Sequence, residues 1–292
     1  MSAAETAKKK KRKRNSQGWD TWRRLVRNKK AVAAMFVLLL LIFLVIFANK
    51  LIPYSLATDL TADRFQWPNA KHWFGTDKYG RDIFARIIYG ARTSLLIGVS
   101  ATAISATLGT IIGTTAAYLG GKVDNVITRI LDIWMAVPAL LVTLAIIAGL
   151  GVGLRTTIFA LAFGGIPGFA RTLRSAALNV TSMEYMEAAK ALGASHKRAI
   201  FKYVIPNVAS QVLIQATSTI SGNILLCATL GFLGLGAQPP TPEWGSILAE
   251  GLKDYTKYPY IVSIPGATIA VTALAINIFG DALRDALDPR LK

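Results

Sequence analysis

Cysteine is almost missing from this chain: Cys227 stands alone, which excludes a disulfide framework and a cysteine-ligated metal cluster. Histidine is nearly as scarce. His72 and His196 lie far apart and leave little for metal or acid–base chemistry. Charge is thin as well, at 17% of residues where a soluble domain carries about 25%. That deficit argues against a soluble enzyme. The loop Gly-x-x-x-x-Gly-Lys-Ser/Thr is missing, and Gly120-Gly121-Lys122 has neither its spacing nor its hydroxyl, so the chain does not bind ATP in the usual way. Apolar–polar alternation with period two is missing from the hydrophobic stretches, which removes the signal of a strand. No internal repeat is visible.

What fills the chain is apolar: 53% of 292 residues are hydrophobic and the mean hydropathy is +0.43. Length is then best counted in membrane spans of about 20 residues. Six stretches qualify, at about 31–52, 92–119, 126–150, 156–180, 199–236 and 261–283. The fifth exceeds what a bilayer needs, so one end is expected to project or bend. The expected fold is an all-α integral membrane protein with six transmembrane helices. Pro138, Pro167 and Pro265 lie inside spans, where neighbouring helices can satisfy the freed backbone groups. Gly109-x-x-x-Gly113 and Gly164-x-x-x-Gly168 read as close helix contacts.

The net charge of +17 is not spread out: 12 of the 33 Lys and Arg lie within Met1–Lys30. The run Lys8–Arg14 is read as a cytoplasmic anchor aided by anionic lipid, not as a nucleic-acid tail, because an apolar run follows at once. That apolar run is long for a signal peptide and leads into Asn49-Lys50-Leu51-Ile52-Pro53, not a small-residue cleavage site. Trp19 and Trp22 with Arg23, Arg24 and Arg27 read as an amphipathic lead-in at headgroup level. Both termini are expected in the cytoplasm, which leaves 23 Lys and Arg on that side and 10 on the other. The chain divides into a basic tail with its amphipathic lead-in (1–30), a first span with an extracytoplasmic loop (31–91), and a core of five spans (92–292).

Single residues follow the same logic. Asp132 is expected to pair with Arg129 or the membrane interface, and Arg171 and Arg174 to anchor a span end. Arg155 reads as solvated, His72 as loop, His196 as an exposed cytoplasmic residue, and Cys227 as a buried small apolar residue. Asp281, Arg284 and Asp285 are spaced to pair along a helix. The segments Leu51–Ala91 and Gly236–Tyr260 are long for connections and rich in Trp and Pro, which suits partner binding.

Between the fourth and fifth spans lies Glu184–Arg198, too polar for lipid and helical by composition. Gly193 allows a sharp turn, and a helix restarts through Ala199–Val204 and Pro206. Small side chains keep the face of this helix low enough for another protein's groove.

Glu187-Ala188-Ala189-x-x-x-Gly193, with Ile205-Pro206 twelve residues on, resembles the EAA loop of bacterial ABC-importer permeases. Tyr203 and Ile205 replace that pattern's usual Ile and Leu with other apolar residues. Gly75-Thr76-Asp77-x-x-Gly80-Arg81-Asp82, Gly90–Leu95, the run Leu233–Gly245 and the tail Gly280–Arg290 resemble the oligopeptide/dipeptide permeases, and their second ("C") subunit most closely. The likeness runs from about Gly18 to the C-terminus.

The resemblance implies a pore subunit without catalysis of its own in the bacterial cytoplasmic membrane, importing di- or oligopeptides. Its implied partners are a similar permease subunit, two ATP-binding subunits that hold the ATP and Mg, and an extracytoplasmic solute-binding protein; no nucleic acid is implied. It assigns the contact with the ATP-binding subunits to Glu187, Ala188, Ala189, Leu192, Gly193 and Pro206, and the contact with the binding protein to Trp73, Gln238, Pro239, Pro240 and Trp244. Alternatives are an ion-driven secondary transporter, which wants acidic residues at the membrane midplane where only Asp132 is available, and an ABC permease for nickel or another non-peptide solute. A membrane enzyme would need an embedded catalytic pair, and none is visible.

Overall fold

The computed structural model describes residues 17–287, so the Lys8–Arg14 run and Asp288–Arg290 lie outside the described residues. The described part is helical, with a single isolated bridge between Thr76 and Asp82. A short amphipathic helix α1 (Gln17–Arg27) precedes α2 (Lys29–Leu51), whose N-terminus is capped by the Asn28 side chain accepting from Lys30 and Ala31. Leu25 of α1 packs into a small apolar cluster with Ala31, Ala282 and Ala286.

After the single turn α3 (Ser55–Thr58) comes α4 (Ile83–Leu119). This helix starts at Ile83 and not at Arg92 because Asp82 caps it, accepting from the Ala85 amide at 2.8 Å. At 1.5 Å per residue it runs for about 55 Å, well beyond a bilayer core of about 30 Å.

The expected third span is broken. α5 (Gly121–Met135) and α6 (Ala139–Leu150) meet at 80°. Pro138 sits at the break: proline has no amide to donate and pushes its predecessor out of helical geometry. Next come α7 (Leu154–Thr181), α8 (Glu184–Ala191), α9 (His196–Phe232), α10 (Trp244–Gly251) and α11 (Tyr260–Leu287). Among the described residues four helices, α2, α4, α9 and α11, are long and apolar enough to cross a membrane, and the bent α5–α6 pair makes up to five. α7, at 28 residues, is long enough but carries Arg155, Arg171 and Arg174.

The bundle is built around α4, which packs along α7 for much of its length. Gly109 and Gly113 make that approach possible: a β-carbon on either would strike Phe169 or the backbone of Ala170. The other glycine pair does not act this way, since Gly168 faces open space and Gly164 has only ordinary contacts. Polar side chains join helices within the bundle, with Asn223 donating to the Thr102 hydroxyl at 2.9 Å and Ser221 to the Ala273 carbonyl at 3.2 Å.

Two further expectations change. Asp132 bonds Arg171 of α7 at 2.5 Å, not Arg129, and Asp124 takes both arms of Arg174 at 2.5 Å. The bend brings α5 against α7, which a one-dimensional reading cannot foresee. Among the described residues no ion pair joins Asp281, Arg284 and Asp285; all three are exposed, where such pairs gain little over hydration.

Candidate functional site

Glu187, Ala188, Ala189, Leu192 and Gly193 fall on one projecting corner. Helix α8 begins with Glu184 and Glu187 in its first turn and ends with Lys190 in its last, charges that suit the helix dipole at both ends. Its end is a Schellman motif: the Gly193 amide donates to the Lys190 carbonyl and the Ala194 amide to the Ala189 carbonyl, each at 3.0 Å. That geometry needs the left-handed conformation, and Gly193 has φ +78.

The corner is open at its tip and closed at its base. Leu192 is 88% exposed, while Met186, one turn and a half earlier, is fully buried. Met186 packs in a cluster with Tyr118, Leu173, Val180, Ala199, Ile200 and Val204. Tyr118, at the end of α4, also touches both sides of the corner, with the Lys190 ammonium 5.2 Å from its ring centre and the His196 ring edge-on at 5.7 Å. Neither Tyr118 nor Met186 was singled out from the sequence; nothing in their local pattern marks them.

Pro206 stands apart from this corner, at the foot of α9. The first turns of that helix are widened into a π segment, Ala199–Val204, where the Ile205 amide donates to the Ile200 carbonyl. Pro206 supplies no amide to the ladder above this segment, and the Asn207 side chain donates to the Tyr203 carbonyl at 2.6 Å.

The opposite end of α4 carries a cap made of the 52–82 connection and α10. Asp77 accepts from Arg81 and Arg86, each at 2.7 Å, and Glu250 of α10 accepts from Arg86 at 2.9 Å and also from Arg81. Two cations and two anions thus alternate in a largely buried cluster. Burial opposes ionisation of Glu250, but Arg86 and Arg81 together outweigh it and hold its carboxyl below the usual range. His72 lies in a loop as expected, but buried, with Nδ1 2.8 Å from Asp82, the residue that caps α4.

Trp244 corrects an expectation. It was assigned to a docking surface, yet it is fully buried, with its indole N–H donating to the Ile87 carbonyl at 3.0 Å. An aromatic in a polar, proline-rich loop reads as exposed until α10 folds it onto α4. Its neighbour Glu243 is also fully buried, accepting from the Gly245 and Ser246 amides at 2.8 and 2.9 Å and from Ser94 at 3.2 Å. Burial pushes its carboxyl up, and these donors offset only part of that. Cys227 is buried as expected, with its sulfur 3.8 Å from Glu243.

Of the remaining docking residues, Gln238, Pro239 and Pro240 are exposed in the connection after α9. Trp73 is 65% exposed and packs on Phe84 at 5.0 Å, in an apolar wall with Phe43 and Leu51 of α2. The structure therefore does not gather the five assigned residues into one patch.

Comparison with known proteins agrees over most of the chain. The family described as binding-protein-dependent transport system inner membrane component matches residues 105–292, and the N-terminal TM domain of oligopeptide transport permease C matches residues 16–68. The dipeptide transport system permease protein DppC of Alkalihalophilus pseudofirmus is 41% identical, with 94% of this chain and 90% of that protein covered. The glutathione transport system permease protein GsiD of Pectobacterium atrosepticum is 40% identical over 94% of this chain and 91% of its own. The di/tripeptide transport system permease protein DppC of Pseudomonas aeruginosa is 41% identical over 94% and 92%. Among solved structures, an inward-facing form of the MetNI methionine ABC transporter shares the fold, with a TM-score of 0.57, 20% identity, and coverage of 70% of this chain and 96% of that one.

Proposed function

Because this chain belongs to the family of binding-protein-dependent transport inner membrane components, on its dipeptide and oligopeptide branch, we propose that it forms half of the pore of an ATP-driven importer of short peptides. A second, similar permease subunit completes the pore. Two ATP-binding subunits hold ATP and Mg, and an extracytoplasmic solute-binding protein delivers the peptide. The six expected spans are then α2, α4, the bent α5–α6 pair, α7, α9 and α11, with both termini in the cytoplasm. The glutathione-transporting relative keeps the same class of solute, since glutathione is itself a tripeptide.

In this reading the corner at Glu187–Gly193 is a handle, and Gln238–Pro240 and Trp73 belong to the surface that receives the binding protein. The observation that carries the handle is its build: an exposed tip on Leu192 and a fully buried base on Met186. Force applied at such a tip reaches α4, α7 and α9 through packed side chains and is not lost in a loose loop. Moving a two-state gate from 1:99 to 99:1 requires about 5.5 kcal/mol of differential binding, which closure of the ATP-binding subunits supplies only if the handle stays firmly attached.

The test uses the assembled transporter with its partners. Gly193→Pro forbids φ +78 and removes the amide that donates to Lys190, and Glu187→Lys reverses the charge in the first turn of α8. Both are expected to retain ATP hydrolysis and lose peptide uptake. Wild-type uptake in both, at normal expression, rejects the handle.

A further inference from the structure

Four arginines meet carboxylates across elements of this fold: Arg81 and Arg86 with Asp77 and Glu250, Arg171 with Asp132, and Arg174 with Asp124. Arg92 is different. It lies on α4, about 14 Å along the helix from Ile83, and no carboxylate lies within ion-pairing distance among the described residues. Its side chain is exposed.

The surroundings of Arg92 are built. It lines a cavity of about 560 Å³, within the range of small-molecule sites of about 300–1,000 Å³. One wall is fixed by Tyr89, whose hydroxyl donates to the Ile52 carbonyl at 2.7 Å and whose ring meets Tyr54 edge-on at 4.8 Å. Other walls come from Asn49, Leu154 and Thr241, on separate elements. The lining contains no acidic residue. Glu243, close in sequence to Thr241, is sealed away with its oxygens already accepting from amides and a hydroxyl. Arg155, next to the lining residue Leu154, is likewise exposed and without an ion pair among the described residues.

Arg92 also lines a second cavity of about 600 Å³, further along α4 and walled by apolar side chains of α2, α9 and α11 such as Leu41, Val45, Ile220 and Phe279. One guanidinium therefore stands where a cavity with Asn49, Thr93 and Thr241 in its lining, and no acid, meets a more apolar one. A short peptide has matching parts, with a C-terminal carboxylate at one end and side chains behind it. A guanidinium can grip a carboxylate with two parallel hydrogen bonds. We propose that the cavity around Arg92 receives the C-terminal carboxylate of the incoming peptide, with Arg92 as the specificity-determining residue. This rests on the peptide-importer reading above.

The test compares uptake of one tripeptide with its C-terminal amide. It uses the complete transporter and its binding protein in phosphatidylcholine vesicles, with wild type, Arg92→Met and Arg92→Lys. The same binding protein serves all three, so its own preference cancels between variants. The acid-to-amide uptake ratio is expected to fall about tenfold in Arg92→Met, as for loss of a charged hydrogen-bonded contact, with Arg92→Lys keeping most of it. An unchanged ratio in Arg92→Met overturns the proposal. So does an equal fall for acid and amide, which marks a structural role or a lipid-headgroup anchor. If Arg92→Met does not assemble, a lost acid preference in assembled Arg92→Lys overturns it, and a preserved one supports it. Wild type that imports neither compound overturns the peptide reading as well, whereas failure in the variants alone leaves that reading standing.

Discussion

At the Ile83 end of α4 the chain is held by charges taken out of water, whereas at the Leu119 end it is held by apolar packing and one tyrosine ring. The first end joins residues 77–86 to Glu250 through alternating cations and anions, most of them buried. The second joins α8 to the bundle through Met186, Tyr118 and their apolar neighbours, and leaves Leu192 in the open. A buried polar cluster resists any rearrangement that separates its members, because each lost partner strands a charge. An apolar anchor under an exposed tip tolerates changes at the tip. One end is thus built to keep its shape and the other to be held by something else.

Breaking the charged end should have the largest effect. Arg86→Met leaves Asp77 and Glu250 short of a partner in a mostly buried site, and is expected to cost about 3–5 kcal/mol, read as a lowered unfolding temperature of the purified complex. The apolar end comes next. Met186→Ala should cost about 2–5 kcal/mol by leaving a cavity, while Leu192→Ala at the exposed tip should stay within about 0.5 kcal/mol yet reduce uptake. Equal destabilisation by Met186→Ala and Leu192→Ala in the same unfolding assay would erase the contrast between base and tip.

The smallest effect is in pH. With its folded pKa depressed, Glu250 contributes stability that is complete above the ordinary carboxylate range and lost as pH falls through the folded value. Glu243 has the opposite sign. With its folded pKa raised, its contribution is complete below the ordinary range and lost as pH rises through the folded value. Unfolding temperatures measured from neutral to acid pH should therefore fall less steeply in Glu250→Gln than in wild type. A Glu250→Gln curve parallel to wild type would show that this carboxylate does not carry the acid sensitivity of the cap.

Helix-forming apolar stretches were legible because their composition is local, and so was the corner at Gly193, since only glycine enters left-handed geometry without strain. Asp82 could also have been read as the cap of α4, because a cap acts on residues three positions away. The break between α5 and α6 was half legible: Pro138 was visible, but an 80° turn was not, since proline in a membrane helix can equally be absorbed, as Pro167 is within α7. Trp244 was misread for a different reason. Its burial depends on α10 reaching Ile87, more than 150 positions earlier in the chain.

Composition and local pattern, by themselves, determined that this chain is a membrane helix bundle, where its main helices lie, and which short segment turns sharply between two of them. Tertiary structure alone decided which arginine meets which carboxylate, that Trp244 and Glu243 lie inside, and that Arg92 has no acidic partner among the described residues. Helix formation and capping act over three or four residues, so the sequence displays them directly. Charge pairing and burial depend on distances in space, and those are set only when α4, α7, α9 and α10 come together.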